Sequence, residues 1–180
     1  RVIAHVLTRG GADVIDNTTI DLAVDKLYVH YEHPSAWHIA HGAVDAARRL
    51  RRSGVRVVLA SNWDSRLPTL LRTLGLDDEF DAIVFSADIG REKPSEEFFH
   101  AVARAADVPA RRCAHVGDAA VEDVAGARSA GFGVAVRWSP HPTDDDTSIT
   151  HDFNQLADAV LSANRTLDAR LSRFRVPPPP

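Results

Sequence analysis

Three short polar segments of the chain carry side chains that could bind an anion and a metal ion. Ser61 offers a hydroxyl directly after an apolar run, with the backbone N–H of Asn62 beside it. Lys93 comes just before a predicted helix, where the helix dipole already presents positive charge and favours a bound anion. Asp118 and Asp123 are paired carboxylates, which suit a hard cation such as Mg²⁺. Together, the hydroxyl, the lysine and the carboxylates predict a site for a phosphate group and its metal ion.

Each of these residues also has an ordinary structural explanation. Ser61 or Asp64 could cap the next helix, and Lys93 could be a solvated surface lysine. The two aspartates of the third segment could be an N-cap and a first-turn acid, which the helix dipole favours. The interpretation as a site rests on the three segments occurring together, and on Lys93 and Lys26 being the only lysines in an arginine-rich chain.

Short strands alternate with helices along the chain, and this alternation determines where the three polar segments lie. Apolar, β-branched runs predict strands at residues 55–60, 82–85, 114–116 and 134–136, the first of them buried. Helical periodicity and capping residues predict helices at residues 1–10, 17–32, 43–53, 65–74, 95–106, 121–130 and 152–163, with a loop at 139–151. This order is typical of an α/β fold with a mainly parallel, doubly wound sheet. In such sheets ligands bind at the carboxyl ends of the strands, where all three polar segments fall.

Composition restricts the class of protein further. The 180 residues include 44% hydrophobic and 26% charged residues, enough for one packed core, and no apolar stretch approaches the roughly 18 residues of a membrane span. A net charge of −4 gives no overall basic field for nucleic acid. Cys113 is the only cysteine, which suits a reducing intracellular compartment, cytoplasmic or organellar. The chain lacks methionine and begins at Arg1, so we expect it to be a piece of a longer protein.

Two further clusters have simpler explanations than a binding site. Four histidines lie close together in the sequence: His30, His33, His38 and His41. No cysteine accompanies them and Pro34 interrupts the run, so we expect ordinary surface histidines rather than a metal site. Four arginines are spread around one predicted helix: Arg48, Arg49, Arg51 and Arg52. No aromatic platform accompanies them, which favours a solvated helix face over nucleic-acid binding.

The ordered motifs resemble those of the haloacid dehalogenase (HAD) superfamily. The motifs are Ser61-Asn62-Trp63-Asp64, Glu92-Lys93-Pro94 and Gly117-Asp118-x-x-x-x-Asp123, closed by Gly126-Ala127-x-x-Ala130-Gly131. The resemblance covers roughly residues 20–138 and implies a Rossmann-like α/β core with a mainly parallel sheet flanked by helices. It also implies the C-terminal part of a helical cap at residues 1–35, followed by the core at 36–165. Composition separately predicts a disordered, proline-rich tail at 166–180.

The resemblance implies a role for each candidate residue. Ser61 and Lys93 are implied as catalytic residues that hold the transferring phosphate, with Asn62 contributing its backbone to phosphate binding. Asp118 is implied as a Mg²⁺ ligand, and Asp123 as a further ligand through water or as a support for the site. The implied substrate is a small phosphate ester and the implied cofactor is Mg²⁺, while neither nucleic acid nor a membrane is an expected partner.

The chain departs from the family at the first motif, an apolar strand followed by Asp-x-Asp-x-Thr, whose first Asp is the nucleophile. The nearest string runs from Asp13 to Thr18, but its aspartates are three apart and no predicted strand precedes it. We therefore expect a Mg²⁺-dependent hydrolase, most simply a phosphatase, whose nucleophile is absent from this chain, which should be inactive alone. Dehalogenase and phosphomutase reactions stay open, because residues around the first motif help to decide among them. The alternative is a non-catalytic member that keeps the fold as a binding or scaffolding module. An unrelated receiver or flavodoxin-like domain is a third interpretation.

Overall fold

Helices and strands alternate along the chain as the sequence predicts, in a computed structural model that describes residues 17–139, 149–150 and 152–172. The strands are β1 (Val58–Ser61), β2 (Ala82–Phe85), β3 (Ala114–Gly117), β4 (Val134–Trp138) and β5 (Ile149–Thr150). The helices are α1 (Asn17–Glu32), α2 (Ala43–Arg52), α3 (Leu67–Thr73), α4 (Ser86–Ile89), α5 (Glu96–Ala106), α6 (Gly126–Ser129) and α7 (Phe153–Ser172). Short 3₁₀ helices at Pro34–Ala36, Asp77–Glu79 and Ala110–Arg112 and a π-helix at Ala120–Ala125 also occur. No described helix is both long and apolar enough to cross a membrane.

The strands form two parallel sheets, which confirms the predicted α/β class. β1 pairs with β2 in one sheet, and β4 lies between β3 and β5 in the other. The sequence predicts a buried strand at β1, and that prediction is wrong because all four residues of β1 are only half-buried. In the described part of the chain β1 has a strand neighbour on one edge only, so that its other edge is not covered by a strand.

One hydrophobic cluster, centred on α5, joins the two sheets. Phe98 and Phe99 of this helix are completely buried, and the cluster around them includes residues of both β2 and β4. The ring of Phe99 meets the rings of His115 and Phe132 edge to face, with centroid distances of 5.1 and 5.4 Å. Such contacts add to the burial of the rings. The helix therefore fixes the position of β1 and β2 relative to β3 and β4.

The first strand begins later than predicted because hydrogen bonds turn the chain before it. The N–H of Val55 donates to the Leu50 oxygen at the end of α2, at 3.0 Å. The N–H of Val57 donates to the Asp81 carboxylate at 2.7 Å, while its oxygen accepts the N–H of the same aspartate. Residues 55–57 therefore connect α2 to the sheet, and regular pairing starts at Val58.

The C-terminal third of the chain differs more from the prediction. The predicted helix at residues 121–130 is divided into the π-helix and α6. Part of the predicted loop at 139–151 is β5, which is parallel to β4. The last helix continues to Ser172, so it includes residues 166–172 of the segment predicted as a tail. The predicted helix at residues 1–10 lies outside the described residues.

The sequence predicts that the arginines of α2 lie on a solvated helix face, but several of them also contact other parts of the chain. Three of them form ion pairs within the chain: Arg48–Glu79, Arg49–Asp158 and Arg51–Asp81. These pairs connect α2 to α7 and to the chain that leads into β2. Much of the positive charge of this run is therefore matched by carboxylates of the same chain.

Candidate functional site

The site residues predicted from the sequence lie around the carboxyl ends of β1 and β3. Ser61 is the last residue of β1, and Asp118 directly follows β3. Lys93 precedes α5, and its side chain reaches β1 and the segment that follows β3. Its Nζ lies 3.5 Å from the backbone oxygen of Ala60 in β1 and 2.6 Å from Oδ1 of Asp123, in the π-helix that follows β3. The structure thus brings all three polar segments to one edge of the fold, as the parallel topology predicts.

A buried carboxylate, that of Asp123, holds the Lys93 ammonium in place. Oδ1 of Asp123 accepts hydrogen bonds from Nζ of Lys93 at 2.6 Å and from Nε2 of His115 at 2.8 Å. Its Oδ2 accepts the backbone N–H of Ala119 at 3.0 Å. The exposed fractions of the side chains are 12% for Lys93, 3% for Asp123 and 9% for His115. An ion pair so shielded from water is costly to break, since removal of one partner leaves a buried charge.

The Asp123 carboxylate is ionised at neutral pH. Burial by itself would raise its pKa, but the hydrogen bonds from His115, Lys93 and the Ala119 N–H outweigh burial and lower the pKa of Asp123 well below its usual value. An ionised carboxylate only accepts hydrogen bonds, so Nε2 of His115 carries the proton in this contact. The buried negative charge therefore orients a lysine and a histidine at once.

The Asn62 side chain connects the loop after β1 to the loop that carries Lys93. Its Nδ2 donates to the backbone oxygen of Lys93 at 3.0 Å, and its Oδ1 accepts the Lys93 backbone N–H at 2.7 Å. The sequence predicts only a backbone contribution from Asn62, so this side-chain contact is an addition. With Asp123 on the ammonium and Asn62 on the backbone, Lys93 is held at both ends.

The Ser61 hydroxyl does not cap the next helix. α3 begins after Arg66, and no side chain caps it there. Asp64 instead accepts the backbone N–H of Arg66 at 3.0 Å and its Nε at 2.9 Å. Within the described ranges no hydrogen bond involves the Ser61 hydroxyl.

Two glycines permit the close packing around the lysine and its carboxylate. A Cβ on Gly117 would lie 2.1 Å from Cγ of Asp123, so a larger residue would displace the carboxylate. A Cβ on Gly126 would lie 2.6 Å from Cε2 of Phe99 and 2.8 Å from Cα of Pro94. The group that approaches Gly117 closely is thus the Asp123 side chain.

Asp118 and Asp123 differ in what they can offer to a cation. Asp118 is exposed at the end of β3, whereas the oxygens of Asp123 already accept three hydrogen bonds, which fits a supporting role better than direct coordination. The described residues contain no group of three or more His, Cys, Asp or Glu side chains that could hold a metal, the histidine run included. Mg²⁺ often takes one or two protein carboxylates together with phosphate oxygens and waters. Asp118 would therefore be a single carboxylate ligand, and a Mg²⁺ ion there would need phosphate oxygens and waters as its other ligands.

His115 is the site residue that motif spacing does not single out. The sequence shows only a histidine within an apolar strand, two residues before Gly117. Its bond to Asp123 depends on the π-helix, which carries that carboxylate back over the end of β3. Spacing along the chain does not predict that the Asp123 carboxylate meets His115.

The sequence matches those of known hydrolases over most of its length. A family model described as haloacid dehalogenase-like hydrolase matches residues 4–131. The chain is 32% identical over 133 residues to haloacid dehalogenase-like hydrolase domain-containing protein 3 of Bos taurus, covering 74% of this chain and 53% of that protein. It is 35% identical over 121 residues to the Homo sapiens protein of the same name, covering 67% and 48%. The chain thus spans about half the length of these curated relatives.

Solved structures share the same α/β fold. The HAD-hydrolase YfnB of Bacillus subtilis, which was solved with magnesium bound, is 20% identical with a TM-score of 0.68, covering 87% of this chain and 68% of that one. The 2-haloacid dehalogenase of Pseudomonas syringae is 27% identical with a TM-score of 0.60, covering 91% and 69%. A HAD phosphatase from Thermococcus onnurineus is 20% identical with a TM-score of 0.65, covering 71% and 60%. These similarities confirm the predicted fold class.

Proposed function

The chain belongs to the haloacid dehalogenase-like hydrolases, and we propose that its site binds the phosphate group of a small phosphate ester together with Mg²⁺, for hydrolysis by the whole protein. The doubly held Lys93 carries this proposal. An ammonium has three N–H donors. Asp123 accepts one of them, and the Ala60 oxygen, 3.5 Å from Nζ, can accept a second, which leaves the third for an anion beside the strand ends.

The residues around the proposed phosphate have separate tasks. The Ser61 hydroxyl donates to one phosphate oxygen, and Lys93 donates to another while it offsets the negative charge. Asp118 would hold Mg²⁺, which would supply positive charge against the charge that develops on the phosphate oxygens. Asp123 and Asn62 are positioning residues, because they touch Lys93 and act on the phosphate only through it.

We also propose that the attacking carboxylate comes from outside this chain. The sequence contains no Asp-x-Asp-x-Thr string. Two carboxylates described near the site are engaged, since Asp64 pairs with Arg66 and Asp123 pairs with Lys93. The chain alone should therefore bind phosphate esters without hydrolysing them. In this arrangement residues 1–35 belong to a helical cap and residues 36–165 to the core.

A ³¹P NMR titration of 4-nitrophenyl phosphate in excess Mg²⁺ tests binding and turnover in one sample. We expect the ester resonance to shift and broaden when the chain is added, while no inorganic phosphate resonance grows. Lys93→Ala should abolish the shift. Lys26 is the other lysine of the chain and lies at an exposed position of α1, so Lys26→Ala should preserve the shift.

Two results of this titration would contradict the proposal. Growth of inorganic phosphate in the wild type but not in Lys93→Ala would show that the chain contains its own nucleophile. A missing shift, or a shift that persists in Lys93→Ala, would show that the site does not bind the phosphate group as proposed.

A non-catalytic binding module is the second candidate function. It is favoured by one observation: the Asp123 carboxylate already accepts three hydrogen bonds from the protein. Of the two aspartates in the motif, Asp118 is therefore the one left to bind a cation. Such a module would bind phosphate without Mg²⁺. Repeating the titration with EDTA in place of Mg²⁺ separates the two candidates, because the hydrolase site loses most of the shift and the module loses none. Asp118→Asn should reproduce the EDTA result only for the hydrolase site.

A further inference from the structure

A cleft of about 790 Å³ opens beside the proposed phosphate site, between α1 and the loops that follow β1 and β2. Its lining starts at Asn62 and Trp63, the two residues that follow Ser61 in the chain. The opposite side is formed by three residues of α1: Leu27, Tyr28 and Tyr31. Ser61 and Lys93 do not line the cleft themselves, but their chain neighbours Asn62 and Glu92 do, so the cleft borders the proposed phosphate site.

Aromatic rings form one wall of the cleft, and contacts hold them in place. Trp37 lies between Tyr31 and Trp63, with ring centroid distances of 5.6 and 5.0 Å. Its Nε1 donates to the Tyr31 backbone oxygen at 3.0 Å. The hydroxyl of Ser86 bonds both the backbone N–H and the backbone oxygen of Trp63, each at 3.0 Å. Rings held in this way lose little conformational freedom when another flat ring packs on them.

The charged side chains that line the cleft balance one another. Arg66 pairs with Asp64 and covers the ring of Tyr28, with its guanidinium carbon 4.1 Å from the ring centroid. Arg91 and Glu92 are adjacent on the other rim and carry opposite charges. The cleft therefore offers no excess of positive charge to a second phosphate group or a polyanion. An uncharged group fits its aromatic wall best.

We propose that this cleft receives a planar, uncharged aromatic leaving group, so that the substrate class is an aryl phosphate monoester. This inference rests on the proposed function, because the phosphate at Ser61 and Lys93 anchors the ester. Trp63 is then a specificity-determining residue, which contacts the ring of the leaving group and takes no part in holding the phosphate.

Three phosphonates, whose carbon–phosphorus bond resists hydrolysis, test the preference by calorimetry with the chain in excess Mg²⁺. Phenylphosphonate has a flat ring, cyclohexylphosphonate has similar bulk without planarity, and methylphosphonate leaves the cleft empty. We expect phenylphosphonate to bind about tenfold more tightly than methylphosphonate, with cyclohexylphosphonate between them. Equal affinities of the phenyl and cyclohexyl compounds would overturn the preference for a planar group.

Tryptophan substitutions test whether Trp63 causes the preference for the phenyl compound. Trp63→Leu should bring the phenyl-to-methyl affinity ratio close to one, and Trp63→Phe should retain most of it. Trp138→Leu, which removes a tryptophan that packs on Phe153 away from the cleft, should keep the wild-type ratio. A ratio that is unchanged in Trp63→Leu would overturn the role of the cleft.

The outcome also separates this inference from the proposed function. Lys93-dependent binding of all three phosphonates with equal affinity would leave the phosphate site intact and reject the aromatic substrate class. Failure of all three to bind, or binding that persists in Lys93→Ala, would reject the phosphate site and the substrate class together.

Discussion

Two ion-pair networks of similar chemistry lie in opposite settings in this molecule. In one, Lys93 pairs with Asp123, and the exposed fractions of their side chains are 12% and 3%. In the other, Arg66 pairs with Asp64 and Glu32, and the exposed fractions are 30%, 42% and 56%. The first lies within the candidate site, and the second joins α1 to the loop after β1.

The difference in burial gives the two networks different tasks. Water and salt weaken the attraction between exposed charges, while buried charges keep most of it. Removing one partner of a buried pair strands the other charge, whereas an exposed partner is simply solvated. The buried network can therefore hold the Lys93 ammonium in one position, whereas the Arg66 network only adds to the contact between α1 and the core.

The largest expected effect comes from removing the buried carboxylate. Asp123→Ala should lower the free energy of unfolding by about 3 to 5 kcal/mol, because the Lys93 ammonium is left without its partner. Urea denaturation measures the change. Asp118→Ala, at the exposed aspartate of the same motif, should change the stability by less than about 0.5 kcal/mol. Equal losses in the two variants would contradict the contrast between a supporting and an exposed carboxylate.

A steric change at Gly117 should have the next largest effect. In Gly117→Ala the added Cβ would lie 2.1 Å from Cγ of Asp123, so the carboxylate must move away from Lys93. We expect a loss of about 1 to 3 kcal/mol in urea denaturation, typical of overpacking. Ser129→Ala, at an exposed position of α6, should leave the unfolding midpoint nearly unchanged. If Gly117→Ala were equally harmless, the close approach of Asp123 would be absent in solution.

Acid should weaken the buried network through Asp123. Its pKa in the folded chain lies below the unfolded value near 3.9, so its stabilisation is complete above that pH and declines as the pH falls. Between pH 6 and pH 3 the stability advantage of the wild type over Asp123→Asn should shrink by about 1 kcal/mol. Urea denaturation in EDTA at each pH measures it. An advantage that grows toward low pH would reverse the sign and contradict the bonding of Asp123.

The smallest expected effect concerns the exposed network. Arg66→Ala should lower the free energy of unfolding by less than about 1 kcal/mol, because its carboxylate partners are accessible to water. The effect of Arg66→Ala should be confined to the contact between α1 and the core. Hydrogen exchange at the amides of α1 should accelerate, while exchange in α5 stays at the wild-type rate. Global destabilisation as large as that of Asp123→Ala would erase the distinction between the two networks.

The order of motifs predicts a large part of the site, because the carboxyl ends of parallel strands meet at one edge. Ser61, Lys93 and Asp118 could be chosen from the sequence for this reason, and the alternation of strands and helices indicates the fold class. The partners of Lys93 could not be chosen in the same way. The His115 contact needs a π-helix that places Asp123 over β3, and local periodicity does not encode that geometry.

The half-buried state of β1 shows the same limit. Its sequence is as apolar as that of a buried strand, but burial also depends on which elements lie beside it. The side-chain contact of Asn62 with the Lys93 backbone, across 31 residues, is likewise set by the meeting of two loops. Composition and spacing therefore predict the types of residue at the site, whereas tertiary contacts determine how those residues are held.

We propose that Lys93, held by Asp123 and Asn62, receives a phosphate group, and a calorimetric titration with inorganic phosphate in excess Mg²⁺ tests this claim most directly. Lys93→Met removes the charge at similar length, and Lys26→Met is the matched control at the other lysine. We predict that the wild type and Lys26→Met bind phosphate with the same Kd, and that Lys93→Met binds at least about tenfold more weakly. Equal affinity in all three proteins, or no binding by any of them, would contradict the claim.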